Sequence, residues 1–257
     1  MLSSQLKVFI TGASSGLGAA LAAHYAARGA VLGLAARRAD KLAEVAGALA
    51  TSVNVYAIDV ADREALAVAI ADFVSRHGTP DIIIANAGIS TGTHGGSAGD
   101  LAVLERILQI NVTGLAATLV PFVEPMRARG TGTLVGIASV AGFRGIPGSG
   151  AYSASKAAAI AWLEALRVEL HGSGVRVVTV CPGYIATPMT AVNRFPMPFL
   201  ISAEDAARRT ARAIERGSAL VVLPWQMRLV FLFLRRAPNW LYDRLFAHAP
   251  RKPRAPS

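Results

Sequence analysis

The sequence predicts an α/β fold: a doubly wound, parallel, seven-stranded sheet flanked by helices, forming a single domain with a C-terminal amphipathic extension. Three observations predict it. Short runs rich in β-branched and aliphatic residues alternate with longer Ala-rich runs of helical character, the pattern of successive βαβ units. Hydrophobic residues make up 53% of the chain and charged residues only 16%, so a large core can form and an unfolded chain is excluded. The first apolar run passes straight into a glycine-rich turn and then a helical pattern, a strand–turn–helix junction.

In chain order, the β-branched and aliphatic runs place strands at 7–11, 31–36, 53–58, 81–85, 132–139, 175–181 and 220–223. Helices are expected between them at 16–28, 40–50, 62–77, 101–128, 151–171 and 203–216. The alternation runs unbroken to Leu223, which assigns 1–223 to the domain and 224–257 to the extension. Beyond Pro224 the composition changes: 225–233 is apolar and aromatic, Pro238 interrupts it, Asn239 opens a short helix to Phe246, and 250–257 reads as frayed. The single cysteine, Cys181, excludes an internal disulfide and a Cys-based zinc cluster and fits a buried strand end. Residues 1–7 carry no pattern of a secretory signal, which leads to a cytoplasmic expectation. The apolar run 229–234 lies between Arg228 and Arg235 and is too short to span a bilayer.

The turn after the first strand reads Thr11, Gly12, Ala13, Ser14, Ser15, Gly16, Leu17, Gly18. A strand, a glycine turn and a helix start present free amides and a positive dipole end to a diphosphate. Glycine allows that close approach because no side chain intervenes. An ordinary βα turn can look the same. Here the glycines fall as G-x-x-x-G-x-G rather than the common G-x-G-x-x-G. Asp59 and Val60 follow the third strand, Asn86, Ala87 and Gly88 follow the fourth, and Asn111 lies in the long helix at 101–128. Ser139, Tyr152 and Lys156 come next, then Pro182, Gly183, Thr187 and Met189 after the sixth strand. In these residues and their order the chain resembles the short-chain dehydrogenase/reductase superfamily, over about residues 5–223.

The resemblance implies a Rossmann-type fold and an NAD(P)-dependent oxidoreductase. It places the turn residues Thr11, Gly12, Ser14, Ser15, Gly16, Leu17 and Gly18 at the cofactor. Asp59 would accept from the adenine amino group with the Val60 amide beside it, and Asn86, Ala87 and Gly88 would line the adenosine ribose side. Pro182, Gly183, Ile185 and Thr187 would stand at the nicotinamide end, with Thr187 and the backbone near Ile185 on the carboxamide. For Asp59 the alternative is a cap for the helix that starts near Asp62. The family often has two Asn before Ala and Gly; here the first place is Ala85, one side-chain hydrogen bond fewer.

The end of the second strand decides the dinucleotide. A carboxylate there would accept from the ribose 2′ hydroxyl of NAD and repel the 2′ phosphate of NADP. The strand instead ends Leu34, Ala35, Ala36 and is followed by Arg37 and Arg38, whose guanidinium forks suit a phosphate. NADP(H) is therefore expected over NAD(H), with Arg37 the favoured phosphate ligand.

Tyr152 and Lys156 are four apart on a predicted helix, so both face one cleft. An ammonium nearby is expected to draw the phenol toward its ionised form. By resemblance, Tyr152 donates the proton during carbonyl reduction, Ser139 hydrogen bonds the same oxygen, Lys156 also binds the nicotinamide ribose, and Asn111 holds a water linking Lys156 to solvent. Hydride arriving at a carbonyl carbon leaves charge on oxygen, which preplaced donors stabilise. No metal is expected: the five histidines are scattered without ligand spacing and read as surface residues.

The small polar segment 90–100 and the apolar segment 186–202 are expected to form the substrate cleft, the second as a lid over a small apolar carbonyl or alcohol. Seven Lys or Arg against one acid between Trp225 and Arg254 account for much of the net charge of +10. With Trp225, Phe231, Phe233, Trp240 and Phe246 among them, 225–247 suits peripheral contact with the inner face of a membrane, a roof for the cleft, or a subunit contact. A homo-oligomer is expected, a dimer before a tetramer, because Leu223, Pro224 and Trp225 stand where family members carry a glycine-rich strand. The remaining charge shows no aromatic-interleaved basic motif, which excludes nucleic acid as a partner. The competing class is a catalytically silent NADP(H)-binding sensor or membrane-associated scaffold.

Overall fold

Seven strands run β1 Lys7–Thr11, β2 Val31–Ala36, β3 Val53–Ala57, β4 Ile82–Ala85, β5 Gly132–Ile137, β6 Val175–Pro182 and β7 Leu220–Leu223. They form one sheet in the order β3-β2-β1-β4-β5-β6-β7, parallel throughout. The computed structural model describes residues 5–254, apart from the side chain of Phe231. The readings made for residues 1–4 and 255–257 lie outside the described residues.

The strand order reverses between β1 and β4, and such a reversal opens a crevice at the carboxyl ends of the strands. Along β1, Val8 and Ile10 face one layer and Phe9 the other, as the period of two requires. The first layer holds α1 Gly16–Ala26, α2 Ala39–Gly47 and α9 Ala203–Arg216; the second holds α3 Arg63–His77 and α7 Gly150–Glu169. Phe9 meets Phe73 of α3 edge-on with centroids 5.6 Å apart, and Gly33 of β2 is bare because a side chain there would strike both rings. Fully burying each such large apolar side chain contributes roughly 1.5–3 kcal/mol.

The long helix expected at 101–128 is present within Ala98–Arg129 but is not uniform along its length. It comprises α4 Leu101–Leu108, a π-turn at Gln109–Thr113, α5 Gly114–Leu119, a tight turn at Val120–Phe122 that contains Pro121, and α6 Val123–Arg129. Within the π-turn, fully buried Asn111 accepts from the Ile89 amide at 2.8 Å and donates to the Ile89 carbonyl and Ser155 Oγ, both at 3.0 Å. A one-residue widening of the helix lets a polar side chain satisfy all three partners in the core. By length and composition the Ala98–Arg129 run could cross a membrane, but its Ile110, Leu115, Leu119, Phe122 and Met126 are buried in the second layer.

Two further boundaries differ from the sequence reading. Ser139 leaves the sheet after β5 and caps a tight turn at Val140–Gly142, where its Oγ accepts from the Ala141 amide at 3.2 Å. After β7 the chain enters α10 Trp225–Arg236 and α11 Asn239–Phe246, with Tyr242 the only buried side chain of α11. The stretch 251–254, expected to fray, is tied down: the Gly92 amide donates to the Pro253 carbonyl at 2.9 Å, and Arg254 pairs with Asp100. Cys181 fills the buried end of β6, where burial pushes its thiol up to about 12.

Candidate active site

A cavity of about 400 Å³ opens at the carboxyl ends of the strands. Its wall includes Gly12, Ser14, Ser15, Gly16 and Leu17 from the glycine turn, Arg37 and Arg38 after β2, Asp59 and Val60 after β3, and Asn86, Ala87 and Gly88 after β4. Ser139, Tyr152 and Lys156 stand on the same wall, with Pro182, Gly183, Ile185 and Thr187.

The glycine turn is shaped for close approach. Gly12 has φ of +69°, a left-handed conformation that side chains resist, and a Cβ there would lie 2.8 Å from Ala87 Cα. A Cβ on Gly18 would strike the Gly12 carbonyl, and one on Gly16 would lie 2.9 Å from Thr187 Cγ2. Asn86 fastens the turn by donating from Nδ2 to the Thr11 carbonyl at 3.0 Å and the Gly12 carbonyl at 3.1 Å. Thr11 Oγ1 accepts from the Asn86 amide at 3.2 Å and the Ala87 amide at 3.3 Å. Ser15, at the N-cap of α1, makes no side-chain cap bond, so the first amides of the helix face the cavity without a side-chain acceptor. These free amides at a dipole end, with a bare backbone before them, fit a dinucleotide diphosphate.

Three of the residues expected at the cofactor or the chemistry stand behind the cavity rather than on it. Thr11 and Gly18 shape the turn from beneath, and Asn111 pins Ile89, whose neighbour Gly88 separates it from Lys156. Asp62, not Asp59, caps α3, its carboxylate accepting from the Ala65 amide at 3.0 Å. Ala85, in place of a second Asn, packs into the second layer.

The two arginines after β2 part company. Arg38 donates to Ser14 Oγ at 3.1 Å and Ser15 Oγ at 2.8 Å, so it lies against the glycine turn. Arg37 turns the other way and pairs with Asp59 at 3.7 Å. Asp59 also accepts from Arg106 of α4 at 2.5 Å and from the Ala61 amide at 3.0 Å. Burial alone would raise the Asp59 carboxyl, but the Ala61 amide and the two guanidinium groups hold it below the ordinary carboxylate range.

At the other end of the cavity, Lys156 is buried and donates to the Ile137 carbonyl at 2.8 Å. Burial pulls its ammonium down to about 8. Its nitrogen lies 5.7 Å from the centre of the Tyr152 ring. Tyr152 shares a hydrogen bond with Ser139, yet burial outweighs it and raises the phenol above its usual range. Burial thus acts on the phenol against the influence expected of Lys156 from the sequence.

Sequence reasoning missed Arg106 and Ile110, and gave Met189 and Thr190 only as part of the segment 186–202 expected at the substrate cleft. Thr190 Oγ1, on the short helix α8 Pro188–Ala191, donates to the Ile185 carbonyl at 2.5 Å and so ties down the start of the segment 186–202. The base of the lid is pinned where Ile185 bridges Ile201. The Thr187–Thr190 capping box is a local signature, whereas Arg106 reaches Asp59 across 47 residues of chain. Among the described residues no three His, Cys, Asp or Glu side chains come together as a metal site. His94, His171 and His248 are exposed, whereas His24 and His77 are half-buried.

The family model for short chain dehydrogenases matches residues 6–196. The chain is a short-chain dehydrogenase. An uncharacterized oxidoreductase of Myxococcus xanthus is 40% identical to this dehydrogenase over 237 residues, covering 91% of this chain and 93% of the relative. A short-chain dehydrogenase from Streptomyces avermitilis superposes with a TM-score of 0.81 at 27% identity, covering 96% of this chain and 95% of the other. The 3-ketoacyl-(acyl-carrier-protein) reductase of Brucella melitensis, solved in complex with NADH, superposes with a TM-score of 0.78 at 25% identity over 86% of this chain and 98% of its own. The oxidoreductase class and the seven-stranded Rossmann-type sheet thus rest on family, relatives and topology together.

Proposed function

We propose that this short-chain dehydrogenase transfers a hydride between NADP(H) and the carbonyl or alcohol of a small apolar substrate. One observation carries the reading: Ser139, Tyr152 and Lys156 share a cavity with the free amides of the glycine turn and with Arg38. When bound, NADPH supplies the hydride that reaches the carbonyl carbon. The residues of this chain do the rest. Tyr152, kept protonated by burial, holds the proton that the carbonyl oxygen takes, and the Ser139 hydroxyl hydrogen bonds the same oxygen. Lys156 spends one N–H on Ile137 and keeps two for the ribose hydroxyls. Asp59, Val60 and Asn86 to Gly88 line the adenosine end, and Ile185 and Thr187 line the nicotinamide end. The NADH complex of the Brucella melitensis reductase supports a nicotinamide cofactor here. The preference for NADPH rests on two features: no acid ends β2, and Arg38 lies on the turn where a 2′ phosphate would stand. Arg38 thus replaces Arg37 as the favoured phosphate ligand.

The test is NADPH oxidation against a panel of apolar ketones and aldehydes. Tyr152→Phe is expected to cut kcat by roughly 10²–10⁴-fold while NADPH still binds. Retained turnover in that variant would refute the role, and NADPH binding with no turnover by the parent on any ketone favours the silent sensor.

The extension supports a location at the cytoplasmic face of an anionic membrane. Trp225, Leu229 and Phe233 form an exposed stripe one turn apart on α10, 61%, 59% and 62% accessible, beside Arg228, Arg235 and Arg236. Trp240, Leu245 and Arg244 of α11 are exposed as well. Such rings and cations suit headgroup depth. Because Leu223, Pro224 and Trp225 stand where a glycine-rich strand would serve tetramer packing, the expected assembly is a dimer rather than a tetramer. Flotation with vesicles containing phosphatidylserine should carry the full chain, and Trp225→Ser with Phe233→Ser should lower the bound fraction several-fold. Equal flotation of the two would remove the membrane reading.

A further inference from the structure

The last described residues place a cation at the rim of the substrate cleft. Lys252 Nζ donates to Ser90 Oγ at 2.9 Å and to the Met189 carbonyl at 3.4 Å. Ser90 follows Ile89, and Ile89 and Met189 both line the cavity that holds Tyr152. The ammonium therefore bridges the loop after β4 and the start of the lid, on the side of the cleft away from Arg38.

Its position is built rather than incidental. A side chain on Gly92 would run into the Lys252 carbonyl, and one on Gly148, at φ of +77°, would lie 2.7 Å from Arg251 Cβ. Two glycines in separate loops thus make room for the backbone on either side of this lysine. Arg254 is held by Asp100, and Arg251 faces His94 at 3.1 Å. Farther back, Arg144 stacks 3.8 Å over the Tyr242 ring and donates to the Ala237 carbonyl at 2.8 Å, which anchors the extension to the loop after Ser139.

Lys252 differs from its basic neighbours. It is half-buried, and among the described residues no carboxylate lies within 4 Å of it. Its two partners are a hydroxyl and a carbonyl, neither of which neutralises it, and burial lowers its pKa. An ammonium has three donors, and among the described residues one has no partner. Taking a cation out of water without a counter-ion is unfavourable, and an anion arriving with the substrate removes that penalty.

We propose that Lys252 is a specificity-determining residue that binds an oxyanion group, carboxylate or phosphate, at the end of the substrate remote from its carbonyl. This rests on the hydride-transfer reading above and narrows its substrate class to apolar carbonyl compounds that carry one acidic end. The lid residues around Met189 cover the apolar body, and Lys252 takes the acidic end at the rim.

The test uses the full chain loaded with NADPH and followed by cofactor fluorescence, with decanoate, decyl phosphate and decanol as probes. The parent should bind decanoate or decyl phosphate about tenfold or more tightly than decanol. Lys252→Met, which keeps the apolar stem, should remove that preference and leave NADPH affinity unchanged; Lys252→Arg should restore it to within threefold. Equal binding of the acids and the alcohol by the parent, or an unchanged preference in Lys252→Met, overturns the proposal. A chain that fails to bind NADPH at all sinks the functional reading instead, so the two failures are separate.

Discussion

The two walls of the cleft are built on different principles. The cofactor wall is glycine, short side chains and backbone amides: Gly12, Gly16 and Gly18 pack against Asn86, Ala87 and Thr187 so closely that almost any side chain would clash. The substrate wall is assembled from parts distant in the chain, namely the loop after β4, the lid after β6, the loop after Ser139 and the residues 251–254, joined by lysine and arginine contacts. The first is held because its glycines leave the backbone no room to shift and Asn86 ties down two of its carbonyls, while the first helix amides stay free for the cofactor. The second is held by half-exposed charge-assisted bonds, which are weaker and more readily exchanged. A family can keep one wall and vary the other, since loops placed on a rigid scaffold carry specificity.

This contrast makes predictions of graded size. The largest effect belongs to the cofactor wall. Gly12→Ala must hold a left-handed φ and push Ala87 away, and left-handed backbone alone costs roughly 1–2 kcal/mol outside glycine. NADPH affinity, read by fluorescence titration, should fall about tenfold or more. A normal dissociation constant would show that the turn yields as freely as the substrate wall and would erase the contrast.

A middle-sized effect is expected from Arg38→Ser. It removes a guanidinium from Ser14 and Ser15 without touching the backbone. The KM for NADPH should rise roughly three- to tenfold, the size of a charge-assisted hydrogen bond from an exposed guanidinium, while the KM for NADH moves less than about twofold. The same change in Arg37 should be smaller, because that side chain faces Asp59. Parallel losses for both cofactors would assign Arg38 to the turn's structure rather than to phosphate.

The smallest effect is on the pH profile. Burial leaves Lys156 with a pKa of about 8, below its ordinary value, so its ammonium is present below that pH and lost above it. Because kcat/KM for NADPH reports the free enzyme, it should be level at neutral pH and decline above about 8. Lys156→Arg should push that limb beyond the alkaline range; an unchanged limb would assign it to another group.

The cofactor wall was legible in the sequence and the substrate wall largely was not. Gly12, Asn86, Ser139 and Tyr152 each stand at the end of a strand or on a helix whose period was visible, so their convergence followed from the parallel order. The misplaced details came from tertiary competition. Asn111 lies in the long helix as expected, but the π-turn around it, where its buried amide meets Ile89 and Ser155, had no sign in the sequence. Arg37 and Arg38 are adjacent and identical in type, and only the position of Ser14, Ser15 and Asp59 around them tells the two apart.

What the sequence determined by itself is the succession of seven strands along the chain, the glycine turn and the set Ser139, Tyr152 and Lys156, because each depends on residue type and local spacing. What only the tertiary structure decided is which charges meet: Arg106 with Asp59, Arg144 with Tyr242, and Lys252 with Ser90. Such pairs span from 47 to 162 residues of chain and leave no periodic trace. Long flexible side chains reach partners that the folded backbone, not the local sequence, brings within hydrogen-bonding distance.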